Sequence, residues 1–189
     1  MGVDRRAAAS AIEAFLRAIG RDPTAEPHLQ GTGERVAAAF VDEVCEGYAV
    51  DAEALLASST MSTTANDLVV MRDAPVTTMC PHHLMPAKGI AWVAFAPRGT
   101  IAGLGALIQV VDAFAHRLTL QEEITERVAD ILFKVLQPEW AGVRLVLEHG
   151  CVVARGERRH GARVETLALR GDPTGDARRT AERALGLGT

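Results

Sequence analysis

Two short clusters of cysteine and histidine, far apart in the chain, constrain the fold more than any other feature. The first is residues 80–83, with the sequence CPHH, and the second is residues 149–151, with the sequence HGC. The chain has only three cysteines and six histidines, and five of these nine residues lie in the two clusters. Thiolates and imidazoles are the usual ligands of zinc in proteins. A fold that joins the clusters would therefore create a metal site.

Three of these side chains are expected to bind one ion. Cys80 and His83 can reach it from a single turn, and Cys151 can complete the set from a distant strand. Catalytic zinc typically takes three protein ligands and leaves a fourth position open for water. His82 and His149 would then remain beside the metal as imidazoles that move protons at neutral pH. The pattern predicts a catalytic zinc site.

Other interpretations of the clusters stay open at this point. A buried cysteine often behaves as a small apolar residue, and a single histidine is more often a satisfied core residue than a ligand. A structural zinc site usually takes four protein ligands, often from paired Cys-x-x-Cys units, and the sequence contains no such unit. Cys45, the third cysteine, lies in a helical pattern and is expected to be a packing residue.

Length and composition are typical of a cytoplasmic enzyme subunit. The 189 residues suit one domain with an appendage. The net charge of −4 gives no reason to expect nucleic acid as a partner. Few cysteines, placed near histidines, favour a reducing compartment over a disulfide framework. Without a long apolar run or the layout of a signal peptide at residues 1–6, no membrane partner is expected.

Hydrophobic periodicity predicts N-terminal helices followed by a mixed body of the α+β class. Helical spacing favours helices over residues 6–19 and 33–45, and the polar tail from Asp172 is expected to be a loose helix. The body is predicted as β-β-α-α-β-β, an antiparallel sheet with two helices on one face. Its extended segments are expected at residues 68–71, 76–79, 89–96, 143–149 and 164–169. The predicted domains are residues 1–62, 63–171 and 172–189.

Together these motifs resemble the GTP cyclohydrolase I family. The resemblance rests on the Cys-x-His-His segment, the His-x-Cys-x-x-x-Arg-Gly segment, and the Gly-Leu and Gln-Glu helix starts, between about Leu29 and Leu169. It implies the tunnelling fold, in which β-β-α-α-β-β subunits join their sheets into a ring. It also implies a homo-oligomer of two stacked pentamers, a decamer with active sites at the subunit boundaries.

Residue by residue, the resemblance implies a role for each motif position. The metal ligands are again Cys80, His83 and Cys151, with zinc as cofactor, and His82 and His149 are the acid–base pair. The substrate-binding residues are Gln121, Glu122, Arg35 and Arg155, with Glu122 as the carboxylate that anchors the guanine ring. Residues 119–122 also spell a helix capping box, an alternative role for Glu122.

The activity that the resemblance implies is hydrolysis at C8 of a small-molecule purine. Zinc lowers the pKa of water, so a strong nucleophile is available at neutral pH. In the family, opening of the imidazole ring releases formate, and the ribose then rearranges to close a dihydropterin ring.

Several positions depart from the family pattern where it binds the triphosphate. Ala38, Ala106 and Gln109 stand where the family has Lys, Lys and Arg, and Gly105 replaces a serine close to the ribose. A charged hydrogen bond is worth about 1.5–3 kcal/mol, so their loss would weaken triphosphate binding by orders of magnitude. We therefore expect a purine without the triphosphate, such as a nucleoside, a free base or an oxidised purine.

Alternatives to this expectation remain. Arg158, Arg159 and Arg163 could rebuild a phosphate site for GTP, or could form a charged strand edge that resists pairing. The tunnelling fold also hosts a nitrile reductase with a nucleophilic cysteine and no zinc, although the paired histidines argue against it. A non-catalytic, zinc-stabilised binding subunit is the third class.

Overall fold

The structure is a computed structural model that describes residues 2–65, 67–156 and 158–187. The chain forms two compact units, Met1–Glu46 and Gly47–Thr189. The domain limits predicted at residues 62 and 171 stay predictions.

The first unit is helical. Helix α1 spans Arg5–Ala18 and α2 spans Thr32–Ala39, which continues as a π-helical turn over Phe40–Val44. The helices approach closely at Gly33, where a Cβ atom would lie 2.5 Å from the backbone oxygen of Ala9. The two predicted N-terminal helices are confirmed, although the second becomes π-helical before it ends at Cys45.

The second unit is built on a four-stranded antiparallel sheet. From one edge to the other, its strands are β2 (Val69–Met79), β3 (Pro86–Phe95), β5 (Ala141–His149) and β6 (Val164–Arg170). The short strands β1 (Thr60–Ser62) and β4 (Thr100–Ala102) form a separate pair. The helices are α3 (Ala52–Ser58), α4 (Leu104–Ala115), α5 (Gln121–Leu136), α6 (Gly150–Val153) and α7 (Gly175–Ala184).

The main core lies between the sheet and helices α4 and α5. Alternate residues of the central strands point towards these helices, so Val93 and Leu145 are buried against residues such as Leu132. The intervening residues face the other side of the sheet, where Ala94 packs with Leu185 after α7. The predicted β-β-α-α-β-β body with two helices on one face is confirmed.

The first predicted strand pair is a single strand. We expected separate extended segments at residues 68–71 and 76–79, but β2 runs through both with a register shift between Met71 and Ala74. Asp73 has a φ of 54° at this bulge. Because β2 is an edge strand, it tolerates Pro75, which has no N–H to donate.

The predicted helix in the C-terminal tail is confirmed as α7. Arg144 on β5 holds its end, since Nη1 donates to the backbone oxygens of Leu185 (2.9 Å) and Gly186 (3.0 Å). The sequence patterns did not predict α3 or the β1–β4 pair, which are too short to show a clear period. Among the described residues, no helix is both long and apolar enough to cross a membrane.

Candidate active site

A tight turn at the end of β2 brings Cys80 and His83 together. The Leu84 N–H donates to the Cys80 oxygen and the Cys80 N–H donates to the Met85 oxygen, both at 2.9 Å. Leu84 closes the turn in the left-handed conformation, with a φ of 49°. As a result, Sγ of Cys80 lies 3.7 Å from Nδ1 of His83.

Cys151 reaches this turn from the end of β5. Strand β5 pairs with β3 so that His149 lies opposite Ala87, directly beside the turn. A Cβ atom on Gly150 would lie only 2.7 Å from the backbone oxygen of Pro86. Glycine therefore permits the close approach that places Cys151 next to Cys80.

The three predicted metal ligands form one group. The ligand atoms of Cys80, His83 and Cys151 all lie within 4.8 Å of one another. Neighbouring ligands in a tetrahedral zinc site are about 3.5–3.8 Å apart, given Zn–S bonds of about 2.3 Å and Zn–N bonds of about 2.0–2.1 Å. Two thiols and an imidazole suit zinc better than magnesium or calcium, which prefer oxygen ligands. The residues therefore fit a zinc ion with small adjustments.

The surroundings of Cys151 favour its protonated thiol. Burial raises the pKa of Cys151, the hydrogen bond with Cys80 raises it further, and the guanidinium of Arg155 opposes the shift. A divalent ion reverses this balance, because a coordinating thiol loses its proton. The side chain of Arg155 is exposed. Burial also raises the pKa of Cys45, as expected for a packing cysteine.

His149 belongs to a polar network at the end of β5. Its Nε2 lies 2.8 Å from Oε1 of Gln121, the first residue of α5. Burial lowers the pKa of His149, although the carboxylate of Glu122 raises it in part. The neutral imidazole is therefore favoured, and His149 can accept a proton. His82 is exposed, with its ring 6.2 Å from that of His83.

The metal-binding residues and the polar network lie around one cleft of about 210 Å³. It is lined by both clusters together with Gln121 and Glu122. The capping box considered for Glu122 is absent from the described structure, because the Thr119 hydroxyl bonds to the carboxylate of Glu123 instead. Glu122 therefore presents its carboxylate at the start of α5, beside the cleft. A larger groove, of about 510 Å³, crosses the opposite face of the sheet and gathers no comparable set of catalytic groups.

The sequence of this chain matches one family over nearly its whole length. The model of the GTP cyclohydrolase I family matches residues 8–186. The chain belongs to the GTP cyclohydrolase I family. The predicted family, its tunnelling fold and the enzyme class of hydrolases that act on cyclic amidine C–N bonds are thereby confirmed.

Several curated relatives carry the name GTP cyclohydrolase 1. The protein of Bacillus cytotoxicus is 40% identical over 168 residues, which cover 88% of this chain and 87% of the relative. That of Brevibacillus brevis is 38% identical over 183 residues, 96% of each chain. That of Allorhizobium ampelinum is 38% identical over 169 residues, 89% of this chain and 83% of the relative.

Among solved structures, an archaeosine synthase QueF-Like in the apo form is similar over 58% of this chain and 98% of that chain. The TM-score is 0.45 and the sequence identity is 19%, so this likeness carries no argument.

The structure places the other positions that the GTP cyclohydrolase I resemblance singled out on several different elements. Arg163 lines the groove on the opposite face of the sheet. Arg35 lies on α2 in the first unit, where its Nη2 donates to Oγ1 of Thr32 at 3.1 Å. On α4, Ala106 is buried and Gln109 is exposed. The substrate contacts expected of Arg35 and Arg155 stay predictions.

The ligand set makes metal content the first test of this site. We expect about one zinc ion per subunit, and we expect Cys151→Ala to lose zinc and activity together, because two ligands rarely hold a catalytic ion. Zinc is measured by mass spectrometry of the metal after dialysis. Cys45→Ala is the matched control and should keep its zinc. Full zinc retention by Cys151→Ala would contradict the assignment.

Proposed function

We propose that this protein is a zinc-dependent cyclohydrolase of the GTP cyclohydrolase I type. It adds water at C8 of a guanine-type purine and opens the imidazole ring. The observation that carries the proposal is the group of three ligand atoms within 4.8 Å, placed in one cleft with two further histidines. This arrangement supports the proposal, because such a reaction requires a metal set and acid–base groups close together.

In this proposal, different residues of the chain bind the metal and transfer protons during hydrolysis. Cys80, His83 and Cys151 would hold a zinc ion, whose Lewis acidity would make water nucleophilic at neutral pH. Adding water at C8 leaves a hydroxyl group on carbon and requires a proton on a ring nitrogen. Breaking a C8–N bond then requires a second proton on the departing nitrogen. His149 and His82 are the groups in the cleft that transfer these protons.

Glu122 holds the purine in this scheme. Guanine presents two N–H donors side by side, at N1 and at its 2-amino group, and a carboxylate can accept both. Glu122 lies in the first turn of α5 and lines the same cleft as His149. Its carboxylate could therefore hold the ring beside the proposed acid–base group.

The site is proposed to be completed by a neighbouring subunit. A cleft of about 210 Å³ is smaller than the roughly 300–1,000 Å³ of ordinary ligand pockets. The edge strand β6 also exposes Val164 and Leu167, which are 41% and 43% exposed. Joining such edges between subunits removes an open sheet edge. These observations support a homo-oligomer, and the family resemblance favours a decamer.

Light scattering tests the assembly. We expect a mass of about ten subunits of 20.1 kDa each at micromolar concentration, because the sheet edges and the small cleft both need a partner. A monomer under these conditions would rule out both the decamer and the shared site.

A further question is whether the purine substrate carries a triphosphate. The names of the relatives, at 35–40% identity, favour GTP, and the charge of Arg155 acts on Cys151, a lining residue of the cleft. Against GTP, Ala106 and Gln109 on α4 and Ala38 on α2 lack the family's cations, and Arg163 lines a different groove. A guanine-type purine without the triphosphate is therefore the second candidate.

Restoring one cation separates these candidates. Gln109 is exposed, so Gln109→Arg introduces charge without a packing cost. If a triphosphate site has been lost, the variant should raise kcat/KM for GTP by about tenfold or more and leave guanosine unchanged, since one charged hydrogen bond is worth about 1.5–3 kcal/mol. The wild-type protein should then prefer guanosine, guanine or oxidised guanine. Wild-type kcat/KM that is highest for GTP, with a fluorescent pterin as product, would instead establish a true GTP cyclohydrolase I.

A variant of His82 tests whether this residue transfers protons or binds the metal. We expect His82→Ala to keep its zinc and to lose about 10²–10⁴-fold in the rate of ring opening, the usual contribution of a positioned acid or base. Metal analysis and purine absorbance measure the two effects on one sample. His28→Ala, which changes a histidine of the first unit, is the control. Loss of zinc from His82→Ala would make this residue a ligand.

A further inference from the structure

The side chain of Gln121 occupies a buried position where every polar atom has a defined direction. Gln121 is 3% exposed at the start of α5. Its Nε2 lies 3.2 Å from the oxygen of Leu145, 3.1 Å from the oxygen of Val164 and 3.1 Å from Oγ1 of Thr166. Backbone oxygens can only accept hydrogen bonds, so this end of the amide must be the NH₂ group.

The orientation of the amide determines which nitrogen of His149 carries a proton. With its NH₂ group facing the sheet, Gln121 presents Oε1 to Nε2 of His149 at 2.8 Å. An amide oxygen only accepts, so Nε2 of His149 must be the donor. The nitrogen left to exchange a proton with a substrate is Nδ1.

Two threonines keep the amide in this orientation. Because the Thr125 hydroxyl donates to the backbone oxygen of Gln121 at 2.9 Å, its oxygen must accept the proton of the Thr166 hydroxyl, 2.6 Å away. The Thr166 oxygen in turn accepts from Nε2 of Gln121 at 3.1 Å. The hydrogen bonds therefore close into a ring that runs in one direction. Reversing the amide would set Oε1 against two backbone oxygens and leave the ring broken.

We propose that Gln121 is a positioning residue that fixes the tautomer and ring orientation of His149. It holds the proton on Nε2, prevents the ring from turning over, and leaves Nδ1 as the atom that exchanges protons with the purine. This role replaces the substrate contact that the family resemblance implied for the Gln121 side chain. The inference rests on the proposed function only in that His149 transfers protons.

The wild-type protein provides the first measurement. In zinc-loaded protein labelled with ¹⁵N-histidine, at alkaline pH where a free imidazole is neutral, the nitrogen spectrum distinguishes a protonated from an unprotonated ring nitrogen. The signals of His149 are assigned by comparison with His149→Asn. We expect Nε2–H and an unprotonated Nδ1. A proton on Nδ1 alone would overturn the proposal, whether or not any variant folds.

Gln121→Met is the second measurement, because it keeps the length of the side chain and removes both hydrogen-bonding groups. We expect kcat to fall by about tenfold or more, because proton transfer by His149 becomes slower. KM and zinc content should change little, because the metal ligands are unchanged. The Nε2–H signal of His149 should weaken or disappear through exchange with water. Gln30→Met, the same substitution at an exposed glutamine outside this network, should keep both the signal and kcat.

The outcomes separate this inference from the proposed function. Equal kcat values for Gln121→Met and Gln30→Met would overturn the positioning role even if His149 shows Nε2–H. A wild-type protein that opens no purine ring would instead overturn the proposed function. In that case the nitrogen spectrum still decides whether Gln121 sets the tautomer.

Discussion

The pairing of β3 with β5 in one register holds the two Cys/His clusters together. His149 lies opposite Ala87, and Gly150 then passes within van der Waals distance of the Pro86 backbone. A slip of one residue would turn every side chain of β5 to the other face of the sheet. The register that buries Leu145 and Leu147 in the core is therefore the same register that brings Cys151 to Cys80. Core packing and metal binding depend on a single set of backbone hydrogen bonds.

The second constraint is the attachment of α5 to the sheet. Gln121 joins the first turn of this helix to β5 and β6 through buried hydrogen bonds, and Glu122 follows it at the mouth of the cleft. Leaving such an amide unsatisfied would cost about 1–3 kcal/mol, so the start of the helix has little freedom to move. The histidine proposed for acid–base chemistry and the carboxylate proposed for guanine binding are thus held by one rigid junction. Preorganisation of this kind is what hydrolysis at a fixed carbon requires.

The sequence predicted the parts of this site that depend on residue type and local spacing. Cys80, His83 and Cys151 come together as expected, because their chemistry and their placement at strand ends were visible in the chain. The ring of hydrogen bonds through Thr125 and Thr166 was not predicted, since the two threonines are 41 positions apart and ordinary in composition. The bulge in β2 was not predicted. Pro75 lies between the two extended segments, and a proline usually interrupts a strand, so the sequence favoured two separate segments. The capping box considered for Glu122 does not form, because the Thr119 hydroxyl bonds to the carboxylate of Glu123.

The coordination of the bound metal tests the central claim most directly. X-ray absorption at the zinc edge of the loaded wild-type protein should show two sulfur ligands at about 2.3 Å and two lighter atoms at about 2.0–2.1 Å. One lighter atom is the imidazole nitrogen of His83, and the other occupies the open position that catalysis requires. A site with four protein ligands, or with fewer than two sulfurs, would contradict a catalytic centre built from Cys80, His83 and Cys151.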